Sequence, residues 1–525
     1  TLYRALFADG KLLLSGRWPH VRLEDTFARE KVFALSGPRS RLVNTSSGKT
    51  LAAIEALDLA SSPINWTGAL LCMSNGFSTH CGLVEKVGPG GMLYTSPSVC
   101  DFCGPDTWIN KQFVVSGVPE AVRDPGEWAQ HPDTKQLTLA VPQGTRPEEQ
   151  GLEGRTRHFS FVLQAGGRPN IPKTSLRPLT GIIIANLTLV AAPVYLDGCN
   201  HCVVEGLTSV ASTTPQEAWT TRPVTNWPLV GDWRQRTGDF VSGHNCTVRA
   251  SSFTLSWSTQ LSVNGTANVV EDNVFTNAGM FNCDEAIFVG SPWFVDRRAY
   301  HGEGNVIRRN TIVNTSYVSI FNAGNPHTLI DLNHVALAGQ LCSDVSPIYS
   351  YQHTAAGTVI SRNWVHDTKA LWSNLGIRGD DGTRNLTVVR NAVWNCHTIG
   401  IIVKGSGNAV LHNTLLNNSD HPEPGHRPFP VSIEMSTSTY HDPALAHPGA
   451  DDTCSNNLVE HWINGNVADA ALPGGRVFGN YYSAQARAEL RRALPGEGLL
   501  PDFRPRPGSV LINSAAARGA AGGEG

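Results

Sequence analysis

The sequence predicts an all-β fold: a right-handed parallel β-helix, which is a solenoid, with a β-rich cap region before it and a short C-terminal helix after it. Three observations carry this prediction. Of the 525 residues, 41% are hydrophobic and 16% are charged, so the chain can bury a large core. Its 51 Gly and 32 Pro favour many short strands joined by turns. A short motif built around Asn also recurs at the spacing of one solenoid coil.

The recurring motif reads apolar, apolar, polar, polar, Asn, any residue, apolar. Its six clear copies contain Asn273, Asn310, Asn333, Asn363, Asn391 and Asn413, at intervals of 37, 23, 30, 28 and 22 residues. Weaker copies at Gly181–Leu189 and His201–Leu207 place the start of the solenoid near residue 160. Asn and Gly tolerate the bend between two strands, and stacked Asn amides can bond to their neighbours. The irregular spacing argues against a propeller, and the many β-branched residues argue against a leucine-rich repeat.

The chain is predicted to divide into four parts. Residues 1–155 form a β-rich N-terminal region that caps the solenoid, whose open end would otherwise expose unpaired strand edges. Residues 156–482 form the β-helix. Residues 483–514 form a closing segment, in which Ala484–Leu494 has the spacing of an amphipathic helix ended by Pro495. Residues 515–525 are rich in Ala and Gly, so a flexible tail is expected.

The eleven cysteines are predicted to form disulfides or buried thiols. The closely spaced ones are Cys72, Cys81, Cys100, Cys103, Cys199 and Cys202. Zinc is the alternative, but the two Cys-x-x-Cys pairs lie about a hundred residues apart and no suitably spaced His pair accompanies them. Because the count is odd, at least one cysteine is unpaired.

Eight Asn-x-Ser/Thr sequons suit a glycosylated secretory protein, although an Asn-rich repeat also creates such sequons by chance. The sequons are at Asn44, Asn65, Asn186, Asn245, Asn264, Asn314, Asn385 and Asn417. Glycosylation at these positions is therefore an expectation that peptide mass shifts after glycosidase treatment would test.

Composition argues against two classes of partner. The chain has 41 Lys and Arg against 44 Asp and Glu, a formal net charge of -3, so it has no excess of positive charge to neutralise a nucleic acid backbone. No apolar stretch approaches the roughly 20 residues that a membrane-spanning helix needs. The sequence opens at Thr1 without an initiator Met or a signal-peptide pattern, which indicates a processed chain or a fragment and leaves a removed leader open.

Several segments resemble those of the pectate-lyase-like right-handed parallel β-helix proteins, a group of secreted carbohydrate-active proteins. They are Gly16–His20, Asn65–Ala69, Asp124–Trp128, Gly376–Arg384, Gly400–Gly405 and Asp502–Ser509. The resemblance covers most of the chain and implies this fold, with a polysaccharide as the partner. It does not imply one reaction, because the group includes lyases, hydrolases and epimerases.

Two positions depart from the group's pattern. His20 stands where Asn is usual, and Asp344–Tyr349 replaces a segment that usually reads Asp-Gly-Gly-x-Ile-Tyr. The second departure puts any role of that loop in doubt.

Strand alternation predicts a charged column on the outer surface of the solenoid. An inward Ile377 turns Arg378 and Asp380 outward, and the same alternation turns Lys404 and Glu434 outward on the next two coils. Neighbouring strands lie about 4.8 Å apart. We therefore expect Asp380, Lys404 and Glu434 to form a catalytic column with Arg378 beside it.

Other residues are expected to bind the substrate or a metal ion. Tyr349 and His353 on the preceding coil offer an aromatic ring or a base. Glu285 lies near the same face, and Trp293 in a neighbouring loop can stack on a sugar ring. Asp380 and Asp381 are in addition a candidate calcium site, because adjacent carboxylates on a turn are hard oxygen ligands.

The predicted cluster allows three interpretations. A cation that neutralises a uronic carboxylate, together with a Lys, Tyr or His that moves the C5 proton, gives β-elimination. Two carboxylates that flank a glycosidic bond give hydrolysis instead. Opposite charges on adjacent coils also form plain cross-strand pairs that stabilise a surface by a fraction of a kcal/mol.

Two hypotheses for function follow. The first is an extracellular or cell-surface polysaccharide lyase or glycoside hydrolase that acts on an acidic glycan along the outer face of the solenoid. The second is a non-catalytic structural or adhesive glycoprotein of a cell coat or filament, which would assemble with other extracellular proteins. An enzyme needs an open groove with convergent titratable groups, whereas a structural protein would show flat, glycosylated or self-complementary faces.

Overall fold

The structure is a computed structural model. It describes residues 3, 5–36, 39–74, 76, 79–100, 112–131, 133–156, 161–164, 179–213, 237–290, 302–352, 355–370, 373–396, 398–418, 431–436, 451–460, 462–465, 476–478, 480–482, 488, 490–492, 502–507 and 509.

Three parallel sheets wind into a right-handed β-helix, as the sequence predicted. Sheet 1 consists of Phe161–Gln164, Leu179–Thr180, Val194–Asn200, Thr237–His244, Thr259–Thr266, Ile287–Gly290, Ile320–Ala323, Ile348–Tyr351, Leu375–Arg384, Ile399–Ser406, Val431–Ser436 and Trp462–Gly465. Sheet 2 consists of Ile183–Ala185, Val203–Glu205, Thr247–Arg249, Val269–Glu271, Val306–Arg308, Leu329–Asp331, Val359–Ser361, Thr387–Val389, Ala409–Leu411, Thr453–Ser455 and Arg476–Phe478. Sheet 3 consists of Thr188–Val190, Thr208–Val210, Ser252–Thr254, Val274–Ala278, Thr311–Thr315, His334–Ala336, Trp364–His366, Ala392–Trp394, Thr414–Leu416, Leu458–Val459 and Tyr481–Tyr482.

The apolar core runs along the axis of the solenoid, because the middle residue of each short strand points inward. In Thr387–Val389, for example, Val388 is buried while its two neighbours are partly exposed. The equivalent inward residues of sheet 2 stack from coil to coil: Val204, Val248, Val270, Ile307, Ile330, Ile360, Val388, Val410 and Cys454. Each such Val or Ile contributes about 1.5–3 kcal/mol by leaving water.

The Asn residues of the repeat form a continuous ladder inside the turn between sheets 2 and 3. Each Nδ2 donates to the Oδ1 of the next Asn, at 3.0 Å from Asn310 to Asn333 and again from Asn333 to Asn363. Each Asn also donates to a backbone carbonyl, as Asn333 does to Ile307 at 2.9 Å. The ladder continues past the predicted copies to Asn457 and Asn480.

The bend of the repeat differs in one respect from the prediction. The left-handed backbone falls on the residue before the ladder Asn, with φ of 53° at Arg309 and 54° at Arg362, and not on the Asn itself. The Asn side chain must instead face the interior to pair with its neighbours. Buried amides need such partners, because an unpaired one costs about 1–3 kcal/mol.

The N-terminal region is built mainly of antiparallel strands. Its strands are Ala5–Ala8, Lys11–Leu12, Leu14–Ser15, Arg17–Trp18, Ala34–Leu35, Arg41–Asn44, Thr50–Glu55, Leu70–Ser74, Thr79–Leu83, Lys86–Gly88, Met92–Thr95, Gln112–Ser116, Glu127–Gln130, Leu137–Leu139 and Leu152–Arg155. Its helical segments are the α-helix Arg29–Val32 and the 3₁₀ turns Leu23–Asp25, Leu57–Leu59, Pro89–Gly91, Pro97–Cys100, Pro119–Ala121 and Pro147–Glu149.

The N-terminal region packs along the flank of the solenoid. One apolar cluster joins Leu70, Cys72 and Val114 to Trp257, Phe281, Tyr317 and Tyr349 of the β-helix. The Arg17 guanidinium lies 3.9 Å from the ring centroid of Phe281, and the Ser343 amide donates to the Gly76 carbonyl at 2.5 Å. This region therefore covers the side of several coils, and the predicted covering of the open end stays a prediction.

Within the described residues, disulfides join Cys72 to Cys81, Cys199 to Cys202 and Cys283 to Cys342. Unpaired buried thiols are present at Cys246, Cys396 and Cys454. The expectation of disulfides with at least one unpaired cysteine is thus confirmed, although Cys103 lies outside the described residues. In the part of the chain that the structure describes, no helix has the length and apolarity needed to cross a membrane.

The predicted C-terminal helix is wrong at Leu490–Arg492, which is a strand paired antiparallel with Asp502–Pro505. Leu490 packs against Trp394 and Leu416 on the outside of sheet 3, and this tertiary contact outweighs a local helical preference. The first half of the predicted helix and the predicted tail lie outside the described residues.

The sequon Asn residues occupy three kinds of position. Asn186, Asn245, Asn314, Asn385 and Asn417 have φ between 51° and 65°, so the turn itself favours Asn there without a glycan. The Asn264 side chain is buried, so it cannot carry a glycan in this fold, contrary to the expectation. Asn44 and Asn65 are exposed, and glycosylation there stays a prediction.

Candidate active site

The outer face of sheet 1 carries the predicted charged residues on consecutive strands. Tyr349 pairs in register with Arg378, Arg378 with Ile402, and Ile402 with Glu434. Ile377 is fully buried, so strand alternation turns Arg378 outward as expected.

A bulge interrupts this register at Asp380. Gly379 pairs with Val403 and Thr383 pairs with Gly405, so the three residues Asp380–Gly382 lie opposite the single residue Lys404. Asp381 and Gly382 take up the extra length with φ of 48° and 87°. Bulges re-aim side chains and are frequent beside active sites. Here the bulge keeps two consecutive carboxylates on the same stretch of the outer face.

Asp380 is the centre of the cluster, with a side chain only 3% exposed. Its Oδ1 lies 2.8 Å from Lys404 Nζ, and its Oδ2 accepts a hydrogen bond from the Tyr349 hydroxyl at 2.8 Å and forms an ion pair with Arg378. Burial raises the pKa of the Asp380 carboxyl, but the positive charges of Arg378 and then Lys404 outweigh burial and lower this pKa to about 2. Asp380 is therefore ionised at any ordinary pH.

Arg378 is held at both ends of its guanidinium. Besides Asp380, it pairs with Asp344 at 2.7 Å, and Asp344 accepts a further hydrogen bond from the Ser373 hydroxyl at 2.7 Å. The guanidinium also lies 4.8 Å from the ring centroid of Tyr349. Since the Arg378 side chain is only 8% exposed, it is a fixed counter-ion rather than a mobile one.

Two tyrosines form the apolar wall of the cluster. Burial raises the pKa of Tyr317 and of Tyr349 well above the ordinary range, and at Tyr349 burial outweighs the positive charge of Arg378, which lowers this pKa. The Tyr349 hydroxyl therefore keeps its proton and donates a hydrogen bond to Asp380, and a role as a base or as a sugar-binding ring stays a prediction. Its predicted position on the preceding coil agrees with the structure.

Asp381 differs from its neighbour although it lies on the same bulge. Burial raises the pKa of the Asp381 carboxyl, and the negative charge of Asp380 raises it further, against a hydrogen bond from Tyr351. Burial and the charge of Asp381 also raise the pKa of Tyr351. The two adjacent carboxyl groups thus have pKa values moved in opposite directions, the pattern that separates an acid from an ionised partner.

Glu434 does not belong to the Asp380–Lys404 column. It is in register with Ile402 and Arg378, and Lys404 pairs instead with Ser436. The sequence placed its outward phase correctly but set its register two residues off, because Ile433 lies opposite Ile401 and not opposite Val403. Glu434 is buried on the same face, two strands from Arg378.

The other predicted binding residues lie further away or outside the described residues. Glu285 precedes a strand that lies three strand spacings, about 14 Å, before the Asp380 strand, and it accepts a hydrogen bond from the Thr259 hydroxyl at 3.0 Å. His353 and Trp293 lie outside the described residues. Sequence reasoning missed Asp344 and Tyr317, because loops outside the repeat bring them to the cluster.

The geometry does not favour calcium at Asp380 and Asp381. Both oxygens of Asp380 already face cationic groups, namely Arg378 and Lys404. A divalent ion prefers carboxylates whose charge is not yet compensated, and these two cations would repel it.

Comparisons with known proteins agree with the fold. No family model matches the sequence, and no curated protein matches it either. Among solved structures, one titled "Glycoside hydrolase" is similar over 92% of this chain and 77% of its own, with a TM-score of 0.51 and 11% identity. A surface adhesin of Streptococcus pneumoniae covers 62% of this chain and 73% of its own, with a TM-score of 0.38 and 12% identity. An endo-xylogalacturonan hydrolase from Aspergillus tubingensis covers 58% of this chain and 83% of its own, with a TM-score of 0.34 and 12% identity.

The three parallel sheets and this similarity show a right-handed parallel β-helix, the fold that the resemblance in the sequence implied. Similarity at this level of identity concerns the fold alone, so the function has to be argued from the site.

Proposed function

We propose that this chain is an extracellular polysaccharide hydrolase whose active site is the charged cluster on the outer face of sheet 1. The observation that carries the proposal is the bulge at Asp380–Gly382, which presents two consecutive carboxylates beside Lys404. One carboxylate is compensated by two cations, and the other has a Tyr as its partner.

In this proposal Asp381 is the general acid. Burial and the neighbouring charge of Asp380 raise the pKa of Asp381, so it holds a proton closer to neutral pH than an ordinary Asp does. It would donate that proton to the glycosidic oxygen as the bond breaks. Asp380, ionised beside it, contributes to that raised pKa.

Glu434 is the proposed general base. Its strand is the second one after the Asp381 strand in sheet 1, so the two strands lie about 9.6 Å apart, and Glu434 is in register with Arg378 rather than with Asp381. Inverting glycosidases hold their two carboxyl groups roughly 6.5–9.5 Å apart, which leaves room for the attacking water. Because the strands alone are farther apart than the roughly 5–5.5 Å between the carboxyl groups of a retaining pair, we propose inversion at the anomeric carbon.

Elimination is less well supported by these contacts. It requires a cation that is available to neutralise the substrate's carboxylate, and Arg378 is committed to Asp344 and Asp380. Lys404 is partly exposed but pairs with Asp380. Lys404 is still close enough to the surface to contact an acidic sugar, so an acidic glycan is the expected substrate.

The disulfides support the extracellular part of the proposal, since disulfides persist mainly in oxidising compartments.

The test is a panel of acidic and neutral polysaccharides, read by reducing ends for hydrolysis and by absorbance at about 235 nm for the unsaturated product of elimination. We expect reducing ends without the absorbance, and a loss of about 100-fold or more in kcat for Asp381→Asn. Asp272→Asn is the matched control, because Asp272 is in an exposed ion pair on sheet 2. A rise at 235 nm would refute hydrolysis, and no product on the whole panel would favour the structural or adhesive alternative.

A further inference from the structure

A second cluster of polar side chains lies in the N-terminal region, away from the proposed active site. His20 follows the strand Arg17–Trp18, Asp124 lies in a turn, and Glu127 opens the strand Glu127–Gln130. One donor atom from each of these side chains, a ring nitrogen or a carboxylate oxygen, lies within 4.8 Å of the other two. The proposed hydrolysis uses none of the three.

Glu127 is buried and its carboxylate is held in a fixed orientation. Its Oε2 accepts hydrogen bonds from the backbone amides of Arg123 at 2.8 Å and Asp124 at 3.1 Å. This arrangement leaves Oε1 facing His20, whose Nδ1 is 3.1 Å away. Backbone donors that fix a carboxylate in this way are the usual outer support of a metal ligand.

The spacing of these atoms fits a metal ion. Zinc binds His nitrogen and carboxylate oxygen at about 2.0–2.2 Å, so two ligands 3.1 Å apart would subtend about 100° at the ion. That angle lies between octahedral and tetrahedral values, so the separation of these two atoms is compatible with a shared ion. The exposed side chain of Asp124 lies beside both and supplies the third candidate ligand.

The ligand types indicate which ions would bind. One imidazole and two carboxylates suit a first-row divalent ion such as zinc better than calcium, which prefers oxygen ligands only. The buried guanidinium of Arg17 is close enough to Glu127 for their charges to interact, and its positive charge opposes a cation. We therefore expect moderate affinity rather than the tight binding of an all-cysteine site.

We propose that His20, Asp124 and Glu127 bind one divalent transition-metal ion with water completing the coordination. The ion would tie the turn at His20 to the turn at Asp124, next to Arg17, which contacts Phe281 of the solenoid. It would thus stabilise the side of the N-terminal region that packs on the β-helix, independently of any catalysis on sheet 1.

The test is equilibrium dialysis of the whole chain against zinc, after a chelator has removed any metal already bound. We expect one saturable zinc ion that is weakened about tenfold or more in both His20→Ala and Asp124→Asn. Zinc should also raise the melting temperature of the unaltered chain but not of these variants. His244→Ala, which removes an exposed His elsewhere, should bind as the unaltered chain does.

Two outcomes would overturn the metal site. One is the absence of saturable zinc binding, or binding that both variants leave unchanged. The other is a His20→Ala variant whose melting temperature falls equally with and without zinc, which would reduce His20 to a hydrogen-bond partner of Glu127.

Discussion

Two outer faces of the same solenoid carry rows of charged residues, but in different surroundings. On sheet 2 the charges alternate in register from coil to coil: Glu205, Arg249, Glu271, Arg308 and Asp331. These pairs are close, with Arg249 to Glu205 at 2.7 Å and Arg308 to Glu271 at 2.7 Å. The arginine side chains remain in contact with water, since that of Arg249 is 50% exposed.

On sheet 1 the cluster around Asp380 has similar distances but is shielded from water. Arg378 and Asp380 are nearly fully buried, and Tyr317 and Tyr349 beside them belong to the apolar cluster shared with the N-terminal region. Exposed pairs contribute about 0–1 kcal/mol, because water and salt screen them and long side chains lose freedom. Buried charges cost several kcal/mol to desolvate, so a fold that keeps them usually uses them.

Charged residues at the same cross-strand spacing therefore behave differently on the two sheets, and the cause is the difference in their burial. The charged row on sheet 2 consists of plain cross-strand ion pairs, the interpretation that the sequence also allowed for the Asp380 cluster. Only the sheet 1 cluster moves the pKa values of neighbouring carboxyl groups in opposite directions.

The largest effect on stability is expected from Arg378→Met. This change leaves Asp344 and the buried Asp380 without their shared counter-ion, and the free energy of unfolding should fall by about 3–5 kcal/mol. Chemical denaturation measures it. The double variant Arg378→Met with Asp380→Leu should recover part of the loss, because it removes the uncompensated charge as well. A loss below about 1 kcal/mol in the single variant would show that the cluster stabilises the fold no more than the exposed charged row on sheet 2 does.

A smaller effect is expected at low pH. The pKa of Asp380 is depressed in the folded state, so its contribution to stability is present above pH 4 and is lost as the pH falls toward 2. Lys404→Met removes one of the two cations and should raise this pKa, so the variant should lose less stability between pH 4 and pH 2. Denaturation at several pH values measures the difference, and parallel curves for the two proteins would contradict the role of Lys404.

The smallest effect is expected from Arg249→Met on sheet 2. It removes one exposed pair with Glu205, and the free energy of unfolding should change by no more than about 1 kcal/mol. Added salt should reduce even that difference, since salt screens exposed charges. A loss as large as that of Arg378→Met would show that the charged row on sheet 2 stabilises the coils more strongly than its exposure implies.

The sequence by itself determined the repeating architecture of the β-helix coils. The interval between copies of the Asn motif predicted the β-helix, because every coil must bury an amide against the next one. Strand alternation also predicted correctly that Arg378 and Asp380 point outward and that Lys404 reaches Asp380. These features repeat with the period of the strand and can be read from short stretches of sequence.

Only the tertiary structure decided the rest of the candidate site. Glu434 lies opposite Ile402 and not opposite Lys404, since the register depends on how two strands meet and not on either strand alone. Asp344 and Tyr317 arrive from loops that have no repeat pattern. The cluster is buried, unlike the charged row on sheet 2, because segments distant in sequence pack over it. Such packing sets the electrostatic environment and with it the pKa values of the charged residues.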